Sequence, residues 1–287
     1  MSTPGALSAS EPPAPQDLVI TLLGTYVRPC GADTVWSGGL VTLLGELGFS
    51  EGAARVSCTR LVNRGLLERV RSGRLVHYRI TERADRLLAE GDGRIFTLGE
   101  PRDDGGTWTA LWHQIPEDRR LERSRLARRL RFLGFGSVQD SVWVSPHDHQ
   151  AEVSQLVADL GVAAFTTVFL ARVGDGSGLA ALVGRAWDLT GLIDRYRAFD
   201  TEFARFATRA GRTGLDDADA FLVRTRLVHL FRGFPPLDPE LPEALAPLSA
   251  PRGRAVKTFH AVFGGLARPS QRYFESVAGS GAAARAG

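Results

Sequence analysis

The stretch that most constrains the fold runs from Ser50 to Ile80. Ser50 stands where a hydroxyl caps a helix N-terminus, and Gly65 follows Arg64 where a left-handed glycine ends one. Between these stops Ala54, Cys58, Leu61 and Val62 share one helical face. Arg55, Thr59 and Asn63 form a ridge on the other, with Val56 and Arg60 beside it. After Gly65, residues 66–70 and 75–80 alternate as two strands around a turn at Ser72 and Gly73. Helical patterns upstream at 18–27 and 40–47 complete the order helix, helix, helix, hairpin. That order is a winged helix-turn-helix, which we place at residues 17–95.

Charge singles out the same stretch. From Gly52 to Ile80 seven arginines (55, 60, 64, 69, 71, 74 and 79) face one acid, Glu68, whereas the whole chain carries only +3. The remainder is therefore slightly acidic. Such a local excess is the electrostatic footprint of a nucleic-acid surface. A guanidinium from Arg55 or Arg60 can read guanine O6 and N7, Asn63 can read adenine, and Val56 can touch a thymine methyl. Thr59 and Arg64 complete the helix set, and Arg69, Arg71 and Arg74 on the hairpin suit phosphates or a minor groove. A merely solvated basic face is the plainer alternative, but capping, core face, hairpin and charge all agree against it. Arginine supplies 34 of the 35 basic residues, Lys257 being the exception. Codon bias explains that choice as well as guanidinium chemistry does.

The middle of the chain changes period. A strand pattern at 107–115 ends at Pro116, a basic helical pattern covers 119–133, and 137–144 allows two short strands. A helix at 152–160 and a strand at 163–173 follow. The order βαββαβ is the ferredoxin-like split βαβ, placed at 96–175. From 176 to 287 the patterns are helical, clearest in Leu189, Leu192, Ile193, Tyr196, Phe199, Phe203 and Phe206. Further helices are expected at 220–231 and around Val256, Phe259, Phe263 and Leu266. We read this third region as a helical dimerisation and effector domain. The fold class is thus α+β in three domains, preceded by a Pro-, Ala- and Ser-rich arm at 1–16 expected to be disordered and lacking a signal-peptide pattern. The apolar stretches at 18–23 and 162–173 are too short to span a bilayer. Cys30 and Cys58 alone make no disulfide framework, which fits a reducing compartment, the cytoplasm.

At this point the residues point to a family. LVITLLGTYV and VWSGGLVTLLGELGFSEGAARVSCTRLVNRGLLERVRSGRLVHYRIT, then LARRLRFLGFGSVQDSVWVSP, then RTRLVHLFRGFPPLDPELP, resemble the PaaX family of phenylacetate-pathway repressors. Three motifs from three regions, in order, carry the likeness over nearly the whole chain after the arm. The resemblance implies a dimeric regulator that binds an operator and is released by phenylacetyl-coenzyme A. The family pattern Arg-x-x-x-Ser-Arg-Leu falls on Arg55, Thr59, Arg60 and Leu61, with Thr keeping the hydroxyl. Where the family has Trp-Pro-Gly, this chain has Ser249, Ala250, Pro251, Arg252 and Gly253, a loop at which effector specificity is expected to depart.

Other constellations are less specific. Arginines at 119, 120, 123, 125, 128, 129 and 131 could touch DNA, hold the phosphates of a coenzyme A ester, or form a solvated face. His147, Asp148 and His149, with His113, resemble metal ligands, but histidines two apart after a proline more often sit in a loop, and no metal or other cofactor is expected. The rival functional class is a metal-dependent nucleic-acid-processing enzyme on the ferredoxin-like domain. CRISPR-associated endonucleases of that fold carry carboxylates at the end of the first strand, where this chain has His113, Gln114 and Ile115. Arg224, Arg226, His229 and Arg232 recur at helical spacing and suit an anion, or ion pairs with Asp216, Asp217, Asp219 or the Asp238 to Glu240 loop. Trp36, Trp108, Trp112 and Trp143 are assigned to cores. The resulting expectation is a non-enzymatic homodimer, held by the third region, on an inverted-repeat duplex operator, without membrane partners. Its effector, an acyl-coenzyme A thioester, would bind between the ferredoxin-like and helical domains at Arg128, Tyr196, Arg224, Arg226, His229 and Arg232.

Overall fold

A computed structural model describes residues 14–100, 106–172, 177–243 and 245–279. Most of the arm expected at 1–16, and Val173 of the expected last strand, lie outside the described residues. Helix α1 (Pro15–Leu22) takes in the end of that arm, with Pro15 at the first helical position, where its missing N–H has no partner to lose. The chain continues through a π-helical turn, Leu23–Val27, and a 3-10 turn, Arg28–Cys30. Strand β1 (Thr34–Trp36), α2 (Ser37–Glu46), α3 (Glu51–Asn63), β2 (Leu67–Ser72), β3 (Leu75–Ile80) and α4 (Glu82–Phe96) follow. The expected three helices and hairpin are present. β1, too short to show a period, adds a third strand to the hairpin in the order β1-β3-β2.

The central elements are β4 (Thr107–His113), α5 (Arg120–Phe132), β5 (Gly136–Gln139), β6 (Val142–Ser145), α6 (Gln150–Asp159) and β7 (Thr166–Arg172). Their sheet has the order β5-β6-β4-β7 with every pairing antiparallel. That is the strand order of the split βαβ arrangement. One face of the sheet (Leu111, Trp143 and Val168) packs on Leu126 and Leu130 of α5 and Val153 and Val157 of α6. The first residues of the expected last strand, Ala163–Phe165, form a 3-10 turn instead.

Helices α7 (Ser177–Ala186), α8 (Leu189–Phe203), α9 (Asp217–Phe231), α10 (Ser249–Gly265) and α11 (Ala267–Ala278) complete the chain. Residues 249–253, expected as a loop, are the first turns of α10; Pro251 stands in the opening turn, where no intrahelical N–H bond is lost. The described chain forms two compact units, Met1–Gly93 with Arg205–Leu230 and Phe259–Gly287, and Arg94–Ala204 with Phe231–Thr258. The helical third region is thus shared between them. In the first unit, Leu18 and Leu22 of α1, Leu40 and Leu44 of α2, and Cys58 and Leu61 of α3 form one core with Phe221 of α9 and Phe274 and Ala278 of α11. Tyr26 ties these elements together, stacking on Phe274 at 5.0 Å and sharing a 3.0 Å hydrogen bond with Thr225. Gly39 lets α2 meet α11, since a Cβ there would lie 2.5 Å from the Ala278 Cα. No described helix is long and apolar enough to cross a membrane.

Candidate nucleic-acid interface

Helix α3 carries the expected signals. Ser50 accepts from the Ala53 N–H at 3.3 Å, and Gly65 adopts φ +66° after the C-cap Arg64. Arg83 adds a bond to the Arg64 carbonyl at 3.1 Å, satisfying one of the orphan acceptors at the helix end. Ala54, Ser57, Cys58 and Leu61 are buried, and burial pushes the Cys58 thiol up to about 11, so it stays protonated. The opposite face is open: Arg55, Val56, Arg60, Asn63 and Arg64 are exposed and Thr59 half-buried. Val56 on this face is half exposed.

The helix is wired to the hairpin. Thr59 donates its hydroxyl to the Arg55 carbonyl at 3.0 Å and accepts from Arg69 of β2 at 2.9 Å. Arg69 therefore braces the hairpin against α3, a role its sequence position did not signal. Gly73, at φ +62°, and Arg74 are the two turn residues between the paired Ser72 and Leu75, one position later than expected. A positive φ at the first central position suits the twist of the flanking strands. Arg74 thereby sits at the hairpin tip. Arg79 is engaged by Asp33 at 3.3 Å and Glu68 at 3.7 Å, and Arg55 by Glu51 at 2.5 Å, three exposed pairs of small worth. Among the described residues Arg60, Arg64, Arg71 and Arg74 have exposed guanidiniums with no hydrogen bond or ion pair. These four guanidiniums, on one helix and its hairpin, leave their donors open to solvent.

The candidate ligand residues are divided between the two units: Arg224, Arg226 and His229 lie in the first, Arg128, Tyr196 and Arg232 in the second. Arg224 is buried, its Nε donating to the Phe263 carbonyl at 3.1 Å and its guanidinium lying 4.1 Å from the Phe263 ring and 5.3 Å from that of Tyr26. Burial, opposed by Tyr26, lowers its pKa, yet an arginine so placed stays charged. It has no carboxylate partner among the described residues. His229 meets Thr21 at 3.2 Å.

Tyr196 is fully buried, stacked on Phe234 at 4.2 Å, and donates to Asp238 at 2.6 Å. Arg252 grips the same carboxylate through Nε at 2.6 Å and a second nitrogen at 2.7 Å, and the Glu240 N–H adds a fourth bond at 2.7 Å. Asp238, one of the two acids of the loop set against the Arg224 cluster, is thus held by Arg252. Asp217 pairs with Arg272 at 2.6 Å. Burial, then the Asp238 charge, raises the Tyr196 phenol.

Arg119, just before α5, bonds the Gly161 carbonyl at 2.7 Å; along the helix Arg123 pairs with Glu117 at 2.6 Å, and Arg129 and Arg131 lie over Phe132 and Trp143. Arg120, Arg125 and Arg128 are exposed. Among the described residues no group of three or more His, Cys, Asp or Glu side chains could hold a metal. Trp108 and Trp143 are core residues and Trp36 is half-buried, but Trp112 is exposed, correcting its assignment. It lies on the sheet face away from α5 and α6, where Trp108 is covered by Trp187.

Three family models match in chain order: "PaaX-like protein" over residues 14–84, "PaaX protein central Cas2-like domain" over 101–183, and "PaaX-like protein C-terminal domain" over 187–276. Transcriptional repressor PaaX of Escherichia coli (strain K12) is 30% identical over 238 residues, covering 80% of this chain and 73% of that protein. Among solved structures, the uncharacterized protein Rv0674 from Mycobacterium tuberculosis has a similar fold, with a TM-score of 0.51 and 24% identity over 92% of this chain and all of that one.

Proposed function

The chain belongs to the PaaX family, and from that membership we propose that it is a dimeric transcriptional repressor whose α3 reads the major groove of an inverted-repeat operator while the β2–β3 hairpin holds the flanking backbone. The repressor name of the relative in Escherichia coli supports a DNA-binding repressor. The observation that carries the finer reading is the open face of α3 and its hairpin, where Arg60, Arg64, Arg71 and Arg74 have no partner among the described residues. In this reading residues 17–95 are the winged helix, 96–175 the ferredoxin-like domain and 176–287 the helical dimerisation and effector region, and the protein meets its operator in the cytoplasm. Arg55, Arg60 and Asn63 read base edges, and Arg71 and Arg74 hold phosphates. Arg69 and Thr59 set the angle between hairpin and helix.

The effector we propose is a small, aryl-substituted acyl-coenzyme A thioester, whose phosphates call for arginines such as Arg128, Arg224, Arg226 and Arg232. A hundredfold loss of operator affinity needs about 2.7 kcal/mol of coupling. Titrating acyl-coenzyme A esters and free aromatic acids against a complex of the full chain with its operator checks this. A thioester should displace the DNA at concentrations where the matching free acid does not. Release by a free acid and by no thioester would sink the effector and leave the DNA reading standing.

A further inference from the structure

The first unit holds a cavity of about 280 Å³ between its three-stranded sheet and α11, lined from residues 26–36, 77 and 271–279. Three aromatic residues, Tyr26, Trp36 and Phe274, stand in its wall. Tyr26 and Phe274 are buried and stack with 5.0 Å between ring centroids. Gly38 leaves room for the Trp36 ring, which a Cβ at that position would strike. Trp36 of β1 is paired with His77 of β3 across the ladder, and Thr34, two residues before Trp36, shares their side of the sheet.

His77 is the polar residue of this lining that the fold leaves unsatisfied. Its Nδ1 is buried and makes no hydrogen bond among the described residues. Buried polar atoms in native structures are nearly always paired, so an orphan on a residue that lines a cavity points to a partner entering from outside the chain. The other polar groups are set differently. Gln271 is engaged by the Tyr26 carbonyl at 3.2 Å and by Glu275 at 3.0 Å. Glu275 is exposed, so the rim of the cavity carries negative charge. Cys30 also lines the cavity and is exposed.

We propose that this cavity binds a small neutral phenol, with the ring among Tyr26, Trp36 and Phe274 and the hydroxyl at His77 Nδ1. Volume sets the size. A cavity of roughly 150 Å³ takes benzene, so this one takes a single ring with small substituents and not a whole coenzyme A thioester. The aromatic wall suits a ring. A hydroxyl satisfies His77 in either tautomer, donating to a bare Nδ1 or accepting from a protonated one. A carboxylate in its place would meet the Glu275 charge at the rim. Among the described residues none proposed to hold the thioester lines this cavity, so the site is additional to that reading. It lies on the sheet that carries the β2–β3 hairpin.

Alkylation of Cys30 by iodoacetamide tests the proposal in the full chain, without DNA. Cys58 is buried and stays protonated, so the reaction reports Cys30 alone. We expect 4-ethylphenol to slow the alkylation several-fold and saturably at submillimolar concentration, and benzoate to need about tenfold more for the same protection. His77→Ala should raise the half-protecting concentration of 4-ethylphenol about tenfold, the worth of one hydrogen bond. Thr34→Phe keeps a strand-favouring residue but fills the cavity, and should abolish protection. If Thr34→Phe does not fold by circular dichroism, His77→Ala carries the test. No protection by millimolar 4-ethylphenol, protection unchanged in either folded variant, or benzoate as effective as the phenol overturns the proposal. The measurement involves no operator, so an unprotected Cys30 leaves the operator reading standing, and a chain that binds no duplex leaves the cavity standing.

Discussion

Replacing Asp238 by Ala is expected to destabilise the protein by about 3–5 kcal/mol, because it strands a buried guanidinium whose partner is gone. The Asp238 side chain is fully buried and that of Arg252 nearly so. Tyr196, both Arg252 nitrogens and the Glu240 N–H together fill the acceptor capacity of the carboxylate. The same loop is held by Arg94 on the Pro235 carbonyl, His147 at the Pro239 carbonyl and the Gly99 N–H on Glu240. Tyr196→Phe removes one bond to a charged acceptor and should cost about 1.5–3 kcal/mol. Urea unfolding of both variants measures this. A loss below about 0.5 kcal/mol for Asp238→Ala, the range of a surface change, would contradict the network's role.

Arg60→Ala and Arg74→Ala should weaken DNA binding in different ways. Arg60 lies on the exposed face of α3, where a bidentate base contact is worth about 1–3 kcal/mol. Its loss should relax preference at one base pair and leave random duplex affinity nearly unchanged. Arg74, at the hairpin tip, should lower affinity for all duplexes alike and reduce the salt slope by about one. Affinity measured for both variants on specific and random duplexes at several salt concentrations separates the two roles. Equal proportional losses on both duplexes would show the helix and hairpin roles wrongly assigned.

Much of this was legible because it is local. Ser50, Gly65 and the spacing of Ala54, Cys58 and Leu61 fix α3 within a few residues, and Gly73 fixes the turn to within one. The Trp, Leu and Ile content of 107–115 and the β-branched and aromatic content of 163–173 likewise marked β4 and β7, and 137–144 allowed the short pair β5 and β6. What the sequence concealed depends on distant partners. α11 was not among the expected helices; it buries Ser270, Phe274 and Ala278 against α2, which lies far away in the chain and meets it at Gly39. Residues 249–253 read as a loop because Pro and Gly dominate them, yet Pro is tolerated in a first turn and Arg252 is fixed by an acid 14 residues away. Trp112 has the composition of a core residue, and its exposure follows from which part of the sheet Trp187 covers. Arg69 looked like its neighbours Arg71 and Arg74 until the hairpin placed it beside Thr59.

The most direct test of the central claim is selection of the full-length protein on random duplex DNA at physiological salt, followed by salt titration of the enriched sequence in Mg²⁺ and Mn²⁺. We expect enrichment of an inverted repeat with half-sites about one helical turn apart, binding that falls steeply with salt, and intact DNA throughout. Failure to enrich any sequence, or cleavage of the bound duplex when metal is added, would contradict the account.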